Sequence, residues 1–203
     1  MKRKETLLPF PLLRNFSIVG LWTLGSRILG FLRDVLIANF LGSGPTAEAF
    51  LIAFSLPNMF RRLFAEGAFN TAFVPILSKK ISCKETAELF ASEALSVLLC
   101  SLLILTALAE IFMPAFVAAM ASGFKDDGRF ELAVDFGRVM FPYILFISLS
   151  AFFGGILNTL NRYSVTAAVP LILNITLIIG LFTANHFEKD YGLVLSCSVP
   201  LAG

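Results

Sequence analysis

Histidine, cysteine and charge are all scarce in this sequence, and each shortage excludes a class of chemistry. The single histidine, His186, leaves histidine-based catalysis or metal binding with little to work with. The three cysteines, Cys83, Cys100 and Cys197, lack metal-ligand spacing, and their odd number argues against a disulfide framework. The net charge of +2 implies no general attraction to nucleic acid. We therefore expect no metal, no cofactor and no catalytic centre.

Apolar residues are what the sequence has in excess. Hydrophobic residues make up 57% of the chain, which contains 22 Phe, and the mean hydropathy is +0.83. The 15% of charged residues are too few to cover so large an apolar core in water. The apolar residues form long runs rather than segments of alternating character, which excludes a transmembrane barrel. The composition predicts an all-α polytopic membrane protein.

The apolar runs divide the chain into predicted spans. A membrane-spanning helix needs about 20 apolar residues, and five segments are long enough. A sixth begins at Tyr191 and is still apolar at Gly203, so we expect an incomplete sixth helix of a longer chain. Residues 1–14 are predicted to form an N-terminal tail, and residues 15–203 a single transmembrane lobe. The predicted spans are Asn15–Leu41, Ala49–Leu77, Leu89–Ala119, Leu132–Leu157, Ser164–Ala184 and the incomplete Tyr191–Gly203.

The connections between the spans alternate in charge. The tail MKRKETLLPFPLLR and the loops SKKISCKETAE and NTLNRYS are basic. The intervening loops GSGPTAE, SGFKDDGRFE and NHFEKDYG have no net positive charge. Because basic loops stay on the cytoplasmic side of a membrane, this alternation predicts a cytoplasmic N-terminus.

Seven charged residues lie in or at the ends of the first two predicted spans. A charge near the centre of a bilayer costs about 2.5–3.5 kcal/mol. With a rise of about 1.5 Å per residue, Arg27 and Glu66 lie about 18 and 16 Å from the inner ends of their helices. Arg33 and Arg61 lie about 27 and 24 Å from those ends, so we expect two tiers of charge facing each other. The seven residues are Arg27, Arg33, Asp34, Glu48, Arg61, Arg62 and Glu66.

Helical spacing separates the expected roles of these charges. Arg27 and Asp34 share a face of the first helix, and Arg62 and Glu66 share a face of the second. Arg62 is about 100° from Arg61, so we predict a structural role for Arg62 and a ligand-facing one for Arg61. Hinges or kinks are predicted where small residues or proline weaken the helices, at Gly30, Pro57 and Gly67.

Two interpretations of the charges stay open at this stage. In the first, the arginines pair with Glu66 and Asp34 and only fix the packing of the helices. In the second, the arginines bind a ligand. Three or four arginines against two acids leave a positive excess, and an unpaired buried cation is strongly destabilising. Excess arginine implies a water-filled cavity, an anionic ligand or both, and guanidinium groups suit phosphate oxygens.

The stretch SRILGFLRDVLIANFLGSG, followed by AEAFLIAFSLPNMFRRLFAEGAFNTAFVP, closely resembles the start of the MurJ/MviN family. This is the bacterial lipid II flippase family of the multidrug/oligosaccharidyl-lipid/polysaccharide exporter superfamily. The strong similarity covers about Phe16 to Lys80, and the later motifs FPYILF and GGILN are less specific. The resemblance implies a 14-helix transporter of two six-helix lobes plus two further helices, with this chain as its N-terminal lobe.

The resemblance also implies an activity and roles for individual residues. Family members move lipid II, a peptidoglycan precursor linked to a polyprenyl diphosphate, from the inner to the outer leaflet of the bacterial inner membrane by alternating access. Arg27, Arg33 and Arg61 would bind the diphosphate, and Glu66 would act as a gate. The family commonly has Asp where this chain has Glu48. Whether Glu48 would act as a gate or as a charge partner therefore stays open.

The expected partners follow from the same resemblance. They are lipid II, membrane lipids, the cell-wall synthesis machinery and the C-terminal lobe of the same protein, without nucleic acid. Another exporter of polyprenyl-linked oligosaccharides stays an alternative, whereas the arginine excess argues against a drug exporter. An integral-membrane enzyme acting on polyprenyl diphosphates would need paired carboxylates or a histidine, for which Asp126, Asp127 and His186 give thin support. A purely structural scaffold is disfavoured by the charge excess.

Overall fold

All the regular elements described by the structure, a computed structural model, are helices. The description covers residues 10–62, 69–124, 127–160 and 162–203. Eight α-helices follow one another in these ranges, and a short 3₁₀ helix, Ser122–Phe124, lies between the fourth and the fifth. They are α1 (Phe10–Leu41), α2 (Pro45–Arg61), α3 (Phe69–Lys80), α4 (Lys84–Met120), α5 (Arg129–Met140), α6 (Tyr143–Thr159), α7 (Tyr163–His186) and α8 (Tyr191–Leu201).

Two of the spans expected from the sequence contain more than one helix. The segment 132–157 holds most of α5 and α6, which are separated by a turn at Phe141 and Pro142. Because proline has no N–H to continue the bonding of α5, a new helix begins after it. The segment 49–77 holds most of α2 and α3, and residues 63–68 between them lie outside the described residues.

Three segments of the described chain are long and apolar enough to cross a membrane. They are Lys84–Met120, Arg129–Thr159 and Val165–His186, the second of which joins α5 and α6. Large apolar side chains on these helices are exposed, for example Ile104 and Phe182. Such exposed apolar faces suit contact with lipid, where helices satisfy their own backbone hydrogen bonds. The architecture is that of an all-α, multi-pass membrane protein.

Each helix packs against particular neighbours, around a core that contains several buried aromatic side chains. Helix α1 packs mainly against α7, α2 packs mainly against α5, and α8 contacts both α7 and α5. Phe50, Phe141, Tyr143 and Phe152 are among the largest fully buried side chains. Phe60, near the end of α2, contacts Phe141 with 5.4 Å between the ring centroids. The end of α2 is thereby packed against the turn between α5 and α6.

Gly192 lies near the start of α8, where this helix packs against α2 and α5. A Cβ atom at Gly192 would lie 2.5 Å from Cγ2 of Thr46 and 2.6 Å from Cζ of Phe136. Both distances are well inside van der Waals contact. The packing of α8 against its neighbours therefore depends on the missing side chain of this glycine.

Gly192→Ala should lower the free energy of unfolding of the full-length protein by about 1–3 kcal/mol, because overpacking displaces neighbouring side chains. Denaturant unfolding in detergent measures this change. Gly20→Ala in α1 is the matched control, because nothing lies within 4 Å of a Cβ there. Alanine at that position should leave the stability unchanged or raise it by up to about 1 kcal/mol. Equal effects of the two substitutions would contradict a special packing role for Gly192.

Candidate binding cavity

A cavity of about 660 Å³ opens between α1, α2, α6 and α7. Its wall carries three arginines, of which Arg33 comes from α1 and Arg61 and Arg62 from the end of α2. Asn174 of α7 and Gly30 of α1 also line it, and apolar side chains form much of the remaining wall. We call this space the arginine cavity and define it by these five residues.

Arg33 is held in the wall by hydrogen bonds on two sides. Its Nη1 donates to Oδ1 of Asn174 at 2.7 Å, and its Nε and Nη2 donate to Oδ1 of Asp34 at 3.0 and 2.7 Å. The guanidinium carbon lies 5.9 Å from the centre of the Phe54 ring. The side chain of Arg33 is 15% exposed, whereas that of Asp34 is 65% exposed. These bonds use three of the five guanidinium N–H donors, which leaves two for other partners.

Asn174 joins α7 to α1 near the midpoint of α7 and is 5% exposed. Its Nδ2 donates to the main-chain carbonyl of Ser26 at 3.0 Å, while its Oδ1 accepts the bond from Arg33. One amide side chain thus contacts both the backbone of α1 and the guanidinium carried by the same helix. Sequence reasoning missed this residue. The signal was a single amide in the apolar run VPLILNITLIIG, because a polar side chain at that position in a membrane helix needs a partner.

Gly30 allows the amide of Asn174 to approach α1. Helix α1 is continuous through Gly30, where the sequence predicts a hinge or kink. A Cβ at Gly30 would lie 3.5 Å from Nδ2 of Asn174, which is ordinary contact, so a larger branched side chain would displace the amide. An alanine Cβ would still fit beside the amide, so the packing of α7 disfavours only larger side chains at this position.

Arg61 and Arg62, at the end of α2, both border the cavity. The N–H of Arg62 donates to the carbonyls of Asn58 and Met59. A regular helix would separate the two arginines by about 100°, which is the reason the sequence predicts different roles for them. In the structure they share one wall. Arg61 also borders a second, smaller cavity of about 160 Å³ between α6 and α7, with polar residues Ser150, Asn158 and Thr166.

Pro57 is buried inside α2, one turn before the cavity arginines. It lacks the N–H that a regular helix would donate to the carbonyl of Ala53. Ser55 Oγ donates to the carbonyl of Ile52 at 2.6 Å, and Asn58 Nδ2 donates to that of Phe54 at 2.9 Å. Ser55 and Asn58 also line the arginine cavity. The segment around Pro57 therefore contributes polar side chains to the cavity wall, and its helix lacks one backbone hydrogen bond.

Arg27 lies apart from the arginine cavity. Its side chain is exposed and borders a separate shallow depression formed by α1 itself. Arg27 and Arg33 are six residues apart, which is about 9 Å along the helix and about 120° around it. In the described arrangement Arg33 and Arg61 come together on one wall, and Arg27 does not join them.

Glu48 lies at the opposite end of α2 from Arg61, about 20 Å away along the helix. Its Oε2 accepts a short hydrogen bond from Nη1 of Arg129. The Nε of Arg129 donates to Oδ2 of Asp127 at 2.6 Å, and its main-chain N–H donates to Oδ1 at 2.8 Å. Phe124 lies under the guanidinium at 4.5 Å. We call Glu48, Arg129 and Asp127 the loop-end cluster, which connects the starts of α2 and α5.

Two of the predicted site residues, Glu66 and Gly67, lie outside the described residues, so their gate and hinge roles stay predictions. Within the ranges that the structure describes, no group of three or more His, Cys, Asp or Glu side chains could hold a metal ion. The guanidinium groups that line the arginine cavity supply hydrogen-bond donors and positive charge. Groups of this kind suit anions, and phosphate oxygens match their geometry best.

The fold and the cavity define a multi-pass α-helical membrane protein with an arginine-lined cavity between its helices. A family model described as Lipid II flippase MurJ matches residues 37–203. The chain therefore belongs to the lipid II flippase MurJ family.

Individual relatives agree with this assignment. "Probable lipid II flippase MurJ" of Rhizobium tropici is 45% identical over 199 residues, covering 95% of this chain and 37% of the relative. "Lipid II flippase MurJ" of Burkholderia cenocepacia is 40% identical over 181 residues, covering 87% of this chain and 35% of the relative. The solved structure "Lipid II flippase MurJ, inward closed conformation" superposes with a TM-score of 0.78 at 32% identity, covering 92% of this chain and 39% of that one. The chain thus spans less than two fifths of these relatives.

Acidification should weaken the loop-end cluster. Arg129 holds the pKa of the Asp127 carboxyl below its usual 3.8, chiefly by donating a side-chain hydrogen bond. A depressed folded-state pKa stabilises the fold above the unfolded-state pKa, and this contribution is lost as the pH falls through the folded value. Between about pH 6 and about pH 3, the thermal unfolding midpoint should therefore fall less in Asp127→Asn than in the wild type. Glu188→Gln, in the loop between α7 and α8, is the control; identical pH profiles for the wild type and Asp127→Asn would refute the expectation.

Proposed function

We propose that this chain is the N-terminal lobe of a lipid II flippase and that its arginine cavity binds the diphosphate of the substrate. The relatives that are named lipid II flippases are longer proteins, and the chain spans less than two fifths of their length. The activity of the whole protein is therefore part of the proposal. The observation that carries it is that Arg33, Arg61 and Arg62 line the same cavity. The activity is that of a transporter, in which the substrate is moved and no covalent bond is changed.

A diphosphate needs partners while it crosses the bilayer because it carries about two negative charges. An ion of this kind is strongly disfavoured in hydrocarbon, and guanidinium donors in a wet cavity replace the lost hydration. The described bonds leave Arg33 two N–H donors for this purpose. The polyprenyl tail stays in lipid, which requires a lateral opening between helices.

Binding must also be reversible for transport. Asp34 offsets part of the positive charge of Arg33, and its exposed carboxylate keeps Arg33 from being an unpaired cation when the cavity is empty. Glu66 is proposed to act as a gate by competing with the diphosphate for an arginine. Arg27 is proposed to meet the substrate at another step, since it lies about 9 Å along α1 from Arg33.

The loop-end cluster fits the outward side of the same cycle. With a cytoplasmic N-terminus, the α1–α2 and α4–α5 loops lie on the outer side of the inner membrane. Arg129 then connects α2 and α5 at the outer end, where Glu48 and Asp127 share its donors. Alternating access requires outer contacts that form and break, and a partly exposed ion pair is weak enough to do both. A second lobe, carried by the rest of a 14-helix protein, would complete the cavity.

Arg33→Ala and Arg61→Ala should each weaken binding of a polyprenyl diphosphate by the full-length protein roughly tenfold to hundredfold, because each removes charge-assisted hydrogen bonds of about 1.5–3 kcal/mol. Lipid II flipping in proteoliposomes should fall in parallel. Arg162→Ala, which removes an exposed arginine from the α6–α7 loop, is the matched control. Full binding and flipping by both cavity variants would overturn the diphosphate role.

The proposed orientation can be tested with cysteine labelling. A hydrogen bond from the backbone of Thr86 lowers the pKa of the Cys83 thiol, which favours the reactive thiolate. In a background with Cys100 and Cys197 changed to Ser, a membrane-impermeant maleimide should label Cys83 in lysed but not in intact spheroplasts. Gly123→Cys, in the exposed α4–α5 connection and without Cys83, should be labelled in both. The reverse pattern would show that the N-terminus lies outside.

A further inference from the structure

Arg33 is held in the cavity by Asn174 of a different helix, α7, as well as by its neighbour Asp34. Its Nη1 donates to Oδ1 of Asn174 at 2.7 Å, and this amide is itself fixed by its bond to the carbonyl of Ser26 at 3.0 Å. Asn174 is 5% exposed, and Gly30 lets it lie directly against α1. An amide with both ends bonded has one orientation, so it offers Arg33 a fixed acceptor.

The chemical type of this acceptor matters for a site that binds anions. An amide oxygen directs the guanidinium without cancelling its charge, whereas a carboxylate would form an ion pair and compete with phosphate oxygens. Asp34, the charged partner of Arg33, has a side chain that is 65% exposed, and its attraction is screened more than that of a buried group. The buried partner is neutral, and the charged one is exposed.

We propose that Asn174 is a positioning residue, which orients the Arg33 guanidinium for a diphosphate-bearing ligand without placing a second negative charge beside it. The inference rests on the proposed function for the identity of the ligand. It does not rest on it for the orientation of Arg33, which can be measured without any ligand. Asn174 itself acts through Arg33, so its effect on binding should vanish when Arg33 is absent.

The first experiment measures the reactivity of Arg33 in the full-length protein in detergent. Phenylglyoxal, which reacts with guanidinium groups, is added and the modification of Arg33 is followed by peptide mass spectrometry. Asn174→Ala removes the acceptor, and the rate of Arg33 modification should rise several-fold because the guanidinium becomes mobile. Asn185→Ala, an exposed amide near the end of the same helix, is the matched control and should leave the rate unchanged.

A second variant keeps this test decisive if Asn174→Ala folds poorly. Asn174→Ser places a hydroxyl that can bond to the helix's own backbone but is too short to reach Arg33. It should also raise the rate of Arg33 modification. A rate equal to that of the wild type in whichever of the two variants is recovered folded would overturn the positioning role.

The second experiment measures the dissociation constant for a polyprenyl diphosphate in Arg33→Ala, Asn174→Ala and the double variant. Loss of one hydrogen bond to a charged group predicts about tenfold weaker binding for Asn174→Ala. The double variant should bind no more weakly than Arg33→Ala, because Asn174 acts through Arg33. Multiplied losses would mean an independent structural effect and would overturn the inference.

The two proposals fail in distinguishable ways. If the wild-type protein neither binds the polyprenyl diphosphate nor is protected by it from modification at Arg33, the proposed function fails. The modification rates in the Asn174 variants still decide whether this amide orients Arg33. If the wild type binds and is protected while those rates do not change, the positioning role fails and the proposed function stands.

Discussion

The arrangement of the cavity depends on two hydrogen bonds of the Asn174 side chain. One is to the backbone of α1, and the other is to the guanidinium of Arg33. The amide holds α1 against α7 close to the middle of α7, with Gly30 providing the space. It also decides where the positive charge of α1 points. If this contact is lost, we expect the wall to keep its arginines but to lose the fixed position of the Arg33 donors, on which the proposed recognition of phosphate oxygens depends.

A second constraint on the cavity lies at the end of α2. Pro57 removes a backbone donor, and Ser55 and Asn58 bond to backbone carbonyls beside it while also facing the cavity. The helix ends at Arg61, and both Arg61 and Arg62 line the cavity. Polar side chains and two arginines therefore occur together in the part of α2 where Pro57 has removed one backbone donor.

The sequence was informative about features that depend on composition and on local spacing. The all-helical membrane class followed from the apolar runs, and the charged residues of the first two spans were visible as exceptions within them. Asn174 was missed because its importance lies in a partner 141 positions away in the chain. Glu48 was expected to act as a gate or charge partner. Because α2 separates it from Arg61 by about 20 Å, Glu48 is bonded to Arg129 instead.

What the sequence determined by itself was which residues cannot face hydrocarbon without help, since the transfer free energies of arginine and carboxylate groups are properties of the residues. The tertiary structure decided which of them meet. Depth along a helix follows from counting residues, but the direction of a side chain depends on how the helices rotate against each other and on where they end. Those features placed Arg33, Arg61 and Arg62 on one wall, Arg27 outside it and Asn174 between two helices.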